Sequence, residues 1–248
     1  MKNIFRRTVT GLLGMALLLC LTISASAKKR SLTMSEQAGD TKRMKDAIRH
    51  SEDAAKVFDE IMAVPDKSIP KDLLDKAEAV VVFPGVLKAA FIIGGSGGQG
   101  VISRRTARGW SAPTFFKIGG GSFGAQIGAE KTDYVLLIMN DKGLRGLLED
   151  KFEIGGEASI AAGPVGRTAS ASTNVTVDAA ILTYSRSKGA FIGVSLKGGV
   201  ISPDNDLNEA VYGMKARDIL TGPQKVNVAQ LPAGLKAFPT TLARYSVR

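Results

Sequence analysis

The sequence predicts an α+β fold in which N-terminal helices pack on a Gly-rich antiparallel β-sheet. Both an open sheet and a barrel-like sheet are compatible with this prediction. Two observations support this prediction. Apolar side chains recur at helical spacing between Ser35 and Met62. From Ala79 onward the chain changes to short segments rich in Val, Ile and Phe that end at Gly or Pro, a pattern typical of strands.

The helical part has two predicted segments. The first runs from Ser35 to Met62, and Pro65 and Pro70 interrupt the pattern after it. The second is short and covers residues 71–77. The apolar stripe of the first segment consists of Met44, Ala47, Ile48, Ala55, Phe58 and Met62.

The β part follows as a series of predicted strands. They are AVVVFP, LKAAFIIGG, QGVISRR, TFFKIGG and YVLLIMN, then, after a short helix at DKGLRGLLED, EASIAAG, ASTNVTVDAAILTYS and GAFIGVSLKGGVIS. Short strands separated by Gly and Pro favour antiparallel pairing. The helical pattern returns from Leu207 to Leu220, and residues 222–248 are predicted to form an irregular tail.

The N-terminus has the pattern of a secretory signal peptide. Residues 1–27 contain a basic start, an apolar run from Val9 to Ile23 and the small-residue end Ala25-Ser26-Ala27. The sequence therefore predicts export, with cleavage after Ala27 and a flexible stretch at 28–39. The expected location is periplasmic or extracellular, with peripheral attachment to a membrane.

Cys20 is the only cysteine of the chain. A lipoprotein modified at Cys20 is an alternative, but Leu19 stands where such a signal has a small residue. After cleavage at Ala27 no cysteine remains, which excludes disulfides, cysteine nucleophiles and zinc sites built from His and Cys.

The chain is basic, with a formal net charge of +10, and removal of Lys2, Arg6 and Arg7 with the signal peptide leaves +7. No acidic residue occurs between Glu78 and Glu130, or between Asp178 and Asp204, although both stretches contain several cations. Such stretches predict a local positive field. This favours an anionic phospholipid or lipopolysaccharide surface as the partner, whereas charge that serves solubility alone is the alternative.

The stretch Gly95-x-Gly97-x-x-Gly100 has the spelling of a dinucleotide-binding loop. Such a loop must be followed by a helix and, about twenty residues later, by an acidic side chain. Here Gly100 is followed by the β-type sequence VISRR, and no acid occurs before Glu130. We therefore predict that these glycines are hairpin and bulge residues of the sheet, and that the protein binds no nucleotide.

Catalytic groups are scarce. His50 is the only histidine and lies in a charged helical stretch, so a solvated helix face is predicted for it rather than a catalytic role. Asp204, Asp206 and Asn208 have the spacing that opens a calcium loop, but a turn and helix N-cap is favoured because the glycine and distant glutamate are missing. The sequence thus predicts no catalytic residue, no metal and no cofactor, with a carboxylate-dependent hydrolase as an alternative.

Four blocks of the sequence point to a family. They are GWSAPTFFKIGGGSFGAQIG (109–128), SIAAGPVGR (159–167), YSRSKGAFIGVSLKGGVI (184–201) and NEAVYG (208–213). Together they resemble the SYLF domain family, and the resemblance covers residues 40–221. It implies helices beside a Gly-rich antiparallel sheet. It also implies phosphoinositide-type lipid binding through a basic surface and an N-terminal amphipathic helix, with actin binding attributed to some members. Bacterial members are typically secreted, stand-alone domains.

These observations predict non-catalytic binding of anionic phospholipid, or of another phosphate-bearing envelope component, and no nucleic-acid partner. An envelope protein–protein interaction module is the main alternative. Residues 185–189 are the sharpest candidate because a turn with two cations and two hydroxyls suits a phosphate, although an ordinary hairpin turn is equally compatible. Trp110, Tyr184 and Tyr212 are expected to pack in the core, with their polar atoms satisfied. The candidate binding residues are Arg104, Arg105, Arg108, Lys117, Ser185, Arg186, Ser187, Lys188 and Lys197.

Overall fold

A computed structural model describes residues 39–64, 66, 68–90, 93–123, 128–156, 158–166, 179–187, 190–194, 199–223 and 226–246. The chain divides into two compact units, Met1–Met44 and Lys45–Arg248. The architecture that follows is that of the second unit, which contains the first helix from Lys45 onward. No helix among the described residues is long and apolar enough to cross a bilayer.

The helices and strands follow the predicted order, although two segments are divided differently. Residues 79–90, predicted as parts of two strands, form one strand, and the helical stretch predicted over 207–220 is divided into two helices. The first helix, α1, covers residues 39–62. The remaining elements are α2 (Lys71–Lys76), β1 (Ala79–Ala90), β2 (Ile93–Thr106), β3 (Gly109–Trp110), β4 (Thr114–Phe123), β5 (Gly128–Ile138), α3 (Asp141–Leu147), β6 (Phe152–Glu153), β7 (Ile160–Ala162), β8 (Ile181–Ser187), β9 (Ala190–Gly193), β10 (Val200–Pro203), α4 (Asn205–Tyr212), α5 (Ala216–Thr221), a 3-10 turn (Val228–Gln230) and α6 (Ala237–Tyr245).

The strands form one curled sheet in the order β6-β10-β4-β2-β1-β5-β8-β7, with β3 paired to β2 and β9 paired to β8. The central pairs are antiparallel, as predicted. The β7–β8 pair is parallel, so the sheet is mixed. The α+β class is confirmed, and the sheet has the shape of a half-barrel.

Alternate residues of a strand point to opposite sides of the sheet, and helices pack on both faces. On one face, Ala79, Val81 and Phe83 belong to a core that includes residues of α3 and α5. On the other face, Val82 pairs with Val101, which pairs with Phe115. The ring of His50 in α1 contacts Phe115, which places α1 on this second face.

Gly98 and Gly100 of β2 lie opposite a bulge in β1, where the register shifts between Val82 and Leu87. A Cβ atom at Gly100 would lie 2.2 Å from Cδ1 of the Phe83 ring, whereas one at Gly97 would meet nothing within 4 Å. Phe83 is fully buried. The extra residue of the bulge lies in β1, so the prediction that the β2 glycines are themselves bulge residues is wrong. At Gly100 the reason for glycine is the close packing of Phe83 on the β2 backbone.

The prediction of an irregular tail over 222–248 is wrong for residues 237–245. Residues Ala237–Tyr245 form α6, and Phe238 and Leu242 are fully buried. The edge of Phe58 in α1 meets Phe238 with ring centroids 6.4 Å apart. Pro239 and two threonines obscure the helical pattern, but Pro is tolerated in the first turn of a helix because no intrahelical N–H bond is lost there.

Candidate functional site

Arg104 and Arg105, the first predicted binding pair, are adjacent on β2 and therefore point to opposite faces of the sheet. Nη1 of Arg104 donates to the carbonyl oxygen of Leu220, 3.1 Å away, near the end of α5. Its Nη2 lies 3.5 Å from Oδ1 of Asp141 in α3. Arg104 thus stabilises the carboxyl end of one helix and pairs with an acid of another.

Arg105 has the corresponding role on the other face. Its Nε donates to the carbonyl oxygen of Ala77 at 3.1 Å, and its Nη2 donates to that of Leu74 at 2.8 Å. These carbonyls belong to the carboxyl end of α2. The guanidinium also lies over the Trp110 ring, 4.4 Å from its centroid. A cation that caps a helix and stacks on an indole is held in the fold.

A cleft of about 660 Å³ is lined by both arginines and by Lys76, Glu78 and Asp141. Burial, and then the charge of Asp141, raises the pKa of Glu78 above its ordinary value. Asp141 itself pairs with Arg104 and, at 3.4 Å, with Arg145. Two arginines therefore engage Asp141 and hold its carboxylate in a charge network.

Lys117 and Asp204 form an ion pair of 2.8 Å. The Asp204 side chain also accepts from the backbone N–H of Leu207 at 3.4 Å and caps α4. In the same helix, the Asn208 side chain bonds to both the N–H and the C=O of Phe115, as a further strand residue would. The predicted turn and N-cap at 204–208 is therefore confirmed.

The segment Ser185–Ser187 belongs to β8 rather than to the turn that follows it. Nε and Nη2 of Arg186 lie 2.9 and 2.8 Å from Oδ2 of Asp133, and Nη1 pairs with Glu60 of α1. Burial alone would lower the pKa of Arg186, but the hydrogen bonds of Glu60 and Asp133 raise it overall. The Ser187 hydroxyl donates to Glu130. Three acids therefore engage the described part of the predicted phosphate-binding turn.

Arg108 is the remaining described candidate, exposed in the turn between β2 and β3. Within the part of the chain that the structure describes, no ion pair of its guanidinium is found. Lys188 and Lys197 lie outside the described residues.

The strand register keeps Arg104 and Arg186 apart. Arg104 is aligned with Ile181 of β8 through Ala79 and Ile138. Three strand spacings of about 4.8 Å separate Arg104 from Ile181, and Arg186 lies five residues, about 17 Å, further along β8. The two arginines also point to opposite faces. The structure therefore does not bring them together into one surface.

The charge of the described residues is almost balanced. They contain 21 of the 33 Lys and Arg residues and 20 of the 23 Asp and Glu residues, so their net charge is +1. The other +9 of the chain belongs to residues that the structure does not describe. The acid-free stretches of the sequence do not remain acid-free in space, because acids of other elements pair with their cations.

Comparison with known proteins shows what this arrangement is similar to. Residues 119–245 match the Ysc84 family, described as "Las17-binding protein actin regulator". The chain belongs to this family. The resemblance to SYLF domains is thereby confirmed.

The Ysc84 match extends to several curated relatives. Protein YSC84 of Saccharomyces cerevisiae is 36% identical over 173 residues, which cover 67% of this chain and 37% of the relative. LAS seventeen-binding protein 3 of the same species is 36% identical over 163 residues, or 63% of this chain and 35% of the relative. SH3 domain-containing YSC84-like protein 1 of Xenopus laevis is 33% identical over 182 residues, or 69% of this chain and 54% of the relative. The chain spans about a third to just over half of these relatives.

The aromatic residues of the Ysc84 domain are packed, as predicted. Trp110 is 5% exposed, and its Nε1 donates to the Ser246 hydroxyl at 3.0 Å. The Tyr212 hydroxyl donates to the carbonyl oxygen of Pro113 at 2.8 Å. The Tyr184 hydroxyl is buried without a partner among the described residues, so the expectation that it is satisfied is wrong there.

The prediction of a solvated face for His50 is also wrong. The residue is 9% exposed, and its ring centroid lies 6.5 Å from that of Phe115. His50 follows Ala47 at i+3 and precedes Ala54 at i+4, so its position on the apolar face of α1 was available from the helical spacing. The charged neighbours Arg49 and Glu52 led instead to the prediction of a solvated face.

Replacing Arg186 by Ala is expected to lower the free energy of unfolding of this Ysc84 domain by about 2 kcal/mol. The change leaves Asp133, whose side chain is 18% exposed, without the guanidinium that contacts its Oδ2, and an uncompensated charge at a partly buried site is costly. Denaturant unfolding would measure the difference. The exposed Arg108→Ala serves as the control and should shift the free energy by less than about 0.5 kcal/mol. Equal effects of the two changes would contradict a structural role for Arg186.

Proposed function

We propose that this chain is an exported, non-catalytic binding domain that attaches to a phosphate-bearing anionic lipid surface. The distribution of charge supports the proposal. The described body is nearly neutral, whereas Lys28, Lys29 and Arg30 are three consecutive cations with no acid before Glu36. A basic run of this kind contributes about 1 kcal/mol per residue near an anionic bilayer.

The proposal narrows the cations that would contact the lipid. Four of the predicted cations already bond to helix ends or acids, and breaking these bonds to reach a lipid would destabilise the fold. They are Arg104, Arg105, Lys117 and Arg186. The candidates that remain from the predicted set are Arg108, Lys188 and Lys197, joined by the basic run 28–30. Two side chains that could serve in catalysis have structural positions, which supports a non-catalytic role. His50 is buried against Phe115, and Asp204 caps α4.

Co-sedimentation of the chain from residue 28 onward with vesicles would test the proposal. We expect binding to phosphatidylglycerol vesicles, no binding to phosphatidylcholine vesicles, and a steep loss of binding with salt because exposed charges are screened over about 8 Å at physiological ionic strength. The double variant Lys28→Ala/Lys29→Ala should lose about 2 kcal/mol, roughly thirtyfold in apparent affinity.

Two further double variants complete the design. Lys188→Ala/Lys197→Ala reports whether the cations of the second acid-free stretch contribute. Lys142→Ala/Lys151→Ala removes the same charge from an exposed surface around α3 and should bind like the unaltered protein. Salt-insensitive binding, or equal losses in the control, would refute attachment through the named cations.

A second candidate function is binding of a protein partner in the envelope. The observation that favours it is the family description, which names Las17 binding and actin regulation, and a relative described as LAS seventeen-binding. Absence of vesicle binding, together with a discrete crosslinked protein in an envelope extract, would favour this function over lipid attachment.

A further inference from the structure

His50 is a titratable ring on the buried face of α1. It is 9% exposed, it packs against Phe115 of β4, and its Nε2 atom has no hydrogen-bond partner among the described residues. A neutral imidazole is compatible with this site. A protonated ring would carry a second N–H donor and a charge, both of which require a partner or water.

The charged groups around His50 come from two elements. Asp46, Arg49 and Asp53 lie on α1 itself, and Asp204 faces the ring from the junction of β10 and α4. Burial, and then the charge of Arg49, lowers the pKa of His50, and the three aspartates oppose this without overcoming it. Asp204 already pairs with Lys117 and caps α4, so its charge is largely compensated.

Three polar side chains of α1 contact the C-terminal region or the side chain of Arg186. The Ser51 hydroxyl donates to the carbonyl oxygen of Leu235 at 2.7 Å, Asp59 pairs with Arg244 at 2.9 Å, and Glu60 pairs with Arg186. The ladder bonds of β1 run to β2 and β5. Departure of α1 would therefore break no rung of that part of the sheet.

We infer that α1 is an acid-released element, which protonation of His50 detaches from the sheet. Release exposes the buried apolar row of α1 and frees Arg186 from Glu60. The apolar row consists of Ala54, Val57, Phe58 and Ile61, all of which are at least 92% buried when α1 is docked. The inference goes beyond the proposed function and holds whether or not the chain binds lipid.

The direction of the pH dependence follows from linkage. The docked His50 has a pKa below the ordinary value of 6.5 that it regains when α1 is released. Docking is therefore fully favoured above pH 6.5. As the pH falls below that value, the released form takes up a proton that the docked form refuses, so the released fraction rises by up to tenfold per pH unit until the docked pKa is reached.

Hydrogen exchange at backbone amides, followed between pH 7.5 and 5 and corrected for intrinsic exchange rates, would test the inference. The amides of residues 50–61 are expected to gain up to tenfold in opening per pH unit, with or without those of α6. The amides of Val80–Val82 in β1 are the internal reference and should not change. Equal acceleration in α1 and β1 would overturn the inference, because His50 would then stabilise the whole fold rather than hold one element. No acceleration in α1 would also overturn it.

Two variants identify His50 as the trigger. His50→Phe keeps an aromatic ring against Phe115 but cannot be protonated, and His50→Gln keeps a polar side chain without titration in this range. In both variants the pH dependence of exchange in α1 should disappear, whatever their absolute stability. If the acceleration persists in either variant, another group is responsible and the inference fails.

Discussion

Replacing Phe238 by Ala is expected to lower the free energy of unfolding by about 4 kcal/mol. The ring is fully buried and meets Phe58 of α1 edge-on, so the change removes buried apolar area and leaves a cavity between α1 and α6. Chemical denaturation followed by circular dichroism would measure the loss.

The control for this change is Thr240→Ala, which alters an exposed position of the same helix. Alanine favours helix slightly over threonine, so the control should be neutral or stabilising by a few tenths of a kcal/mol. An unfolding midpoint for Phe238→Ala that matches the unaltered protein would show that α6 is not part of the core.

Replacing Gly100 by Ala is expected to cost about 3 kcal/mol. The new methyl group would lie 2.2 Å from Cδ1 of Phe83 and 2.7 Å from the carbonyl oxygen of Val82, and neither the buried ring nor the strand backbone can move away easily. The measurement is again the free energy of unfolding.

Gly97→Ala is the matched change in the same strand, because a Cβ there meets nothing within 4 Å. We expect it to be neutral or slightly stabilising, since alanine restricts the unfolded chain more than glycine does. Similar costs for the two changes would refute the explanation of Gly100 by the packing of Phe83.

The elements that the sequence predicts well are those whose signal is local. The helix α1 and the strand that contains Val80–Val82 can each be recognised within a short window. The sequence pattern did not predict the tail helix α6 because Pro239 and its neighbouring threonines have low helix propensity. Its stability comes from burial of Phe238 and Leu242 against distant residues, which a local window does not contain.

The candidate site was less predictable because its electrostatics are not local. Arg186 pairs with Glu60, 126 residues earlier, and Lys117 pairs with Asp204. A stretch without acids therefore says which charges are present along the chain but not which charges meet in space. The register of β2 and β8, which separates Arg104 from Arg186, is likewise a property of the whole sheet.

The contact between α1 and the C-terminal region has a consequence for the folding rate. The Ser51 hydroxyl bonds to Leu235, 184 residues later, and Asp59 bonds to Arg244 and Tyr245. These contacts of α1 close a loop of 184 residues, and the entropic cost of closing so long a loop precedes the contacts themselves. Contacts between residues so distant in sequence are characteristic of slow folding. Until α6 has been synthesised, the apolar side of α1 lacks this native partner and is open to aggregation in the nascent chain.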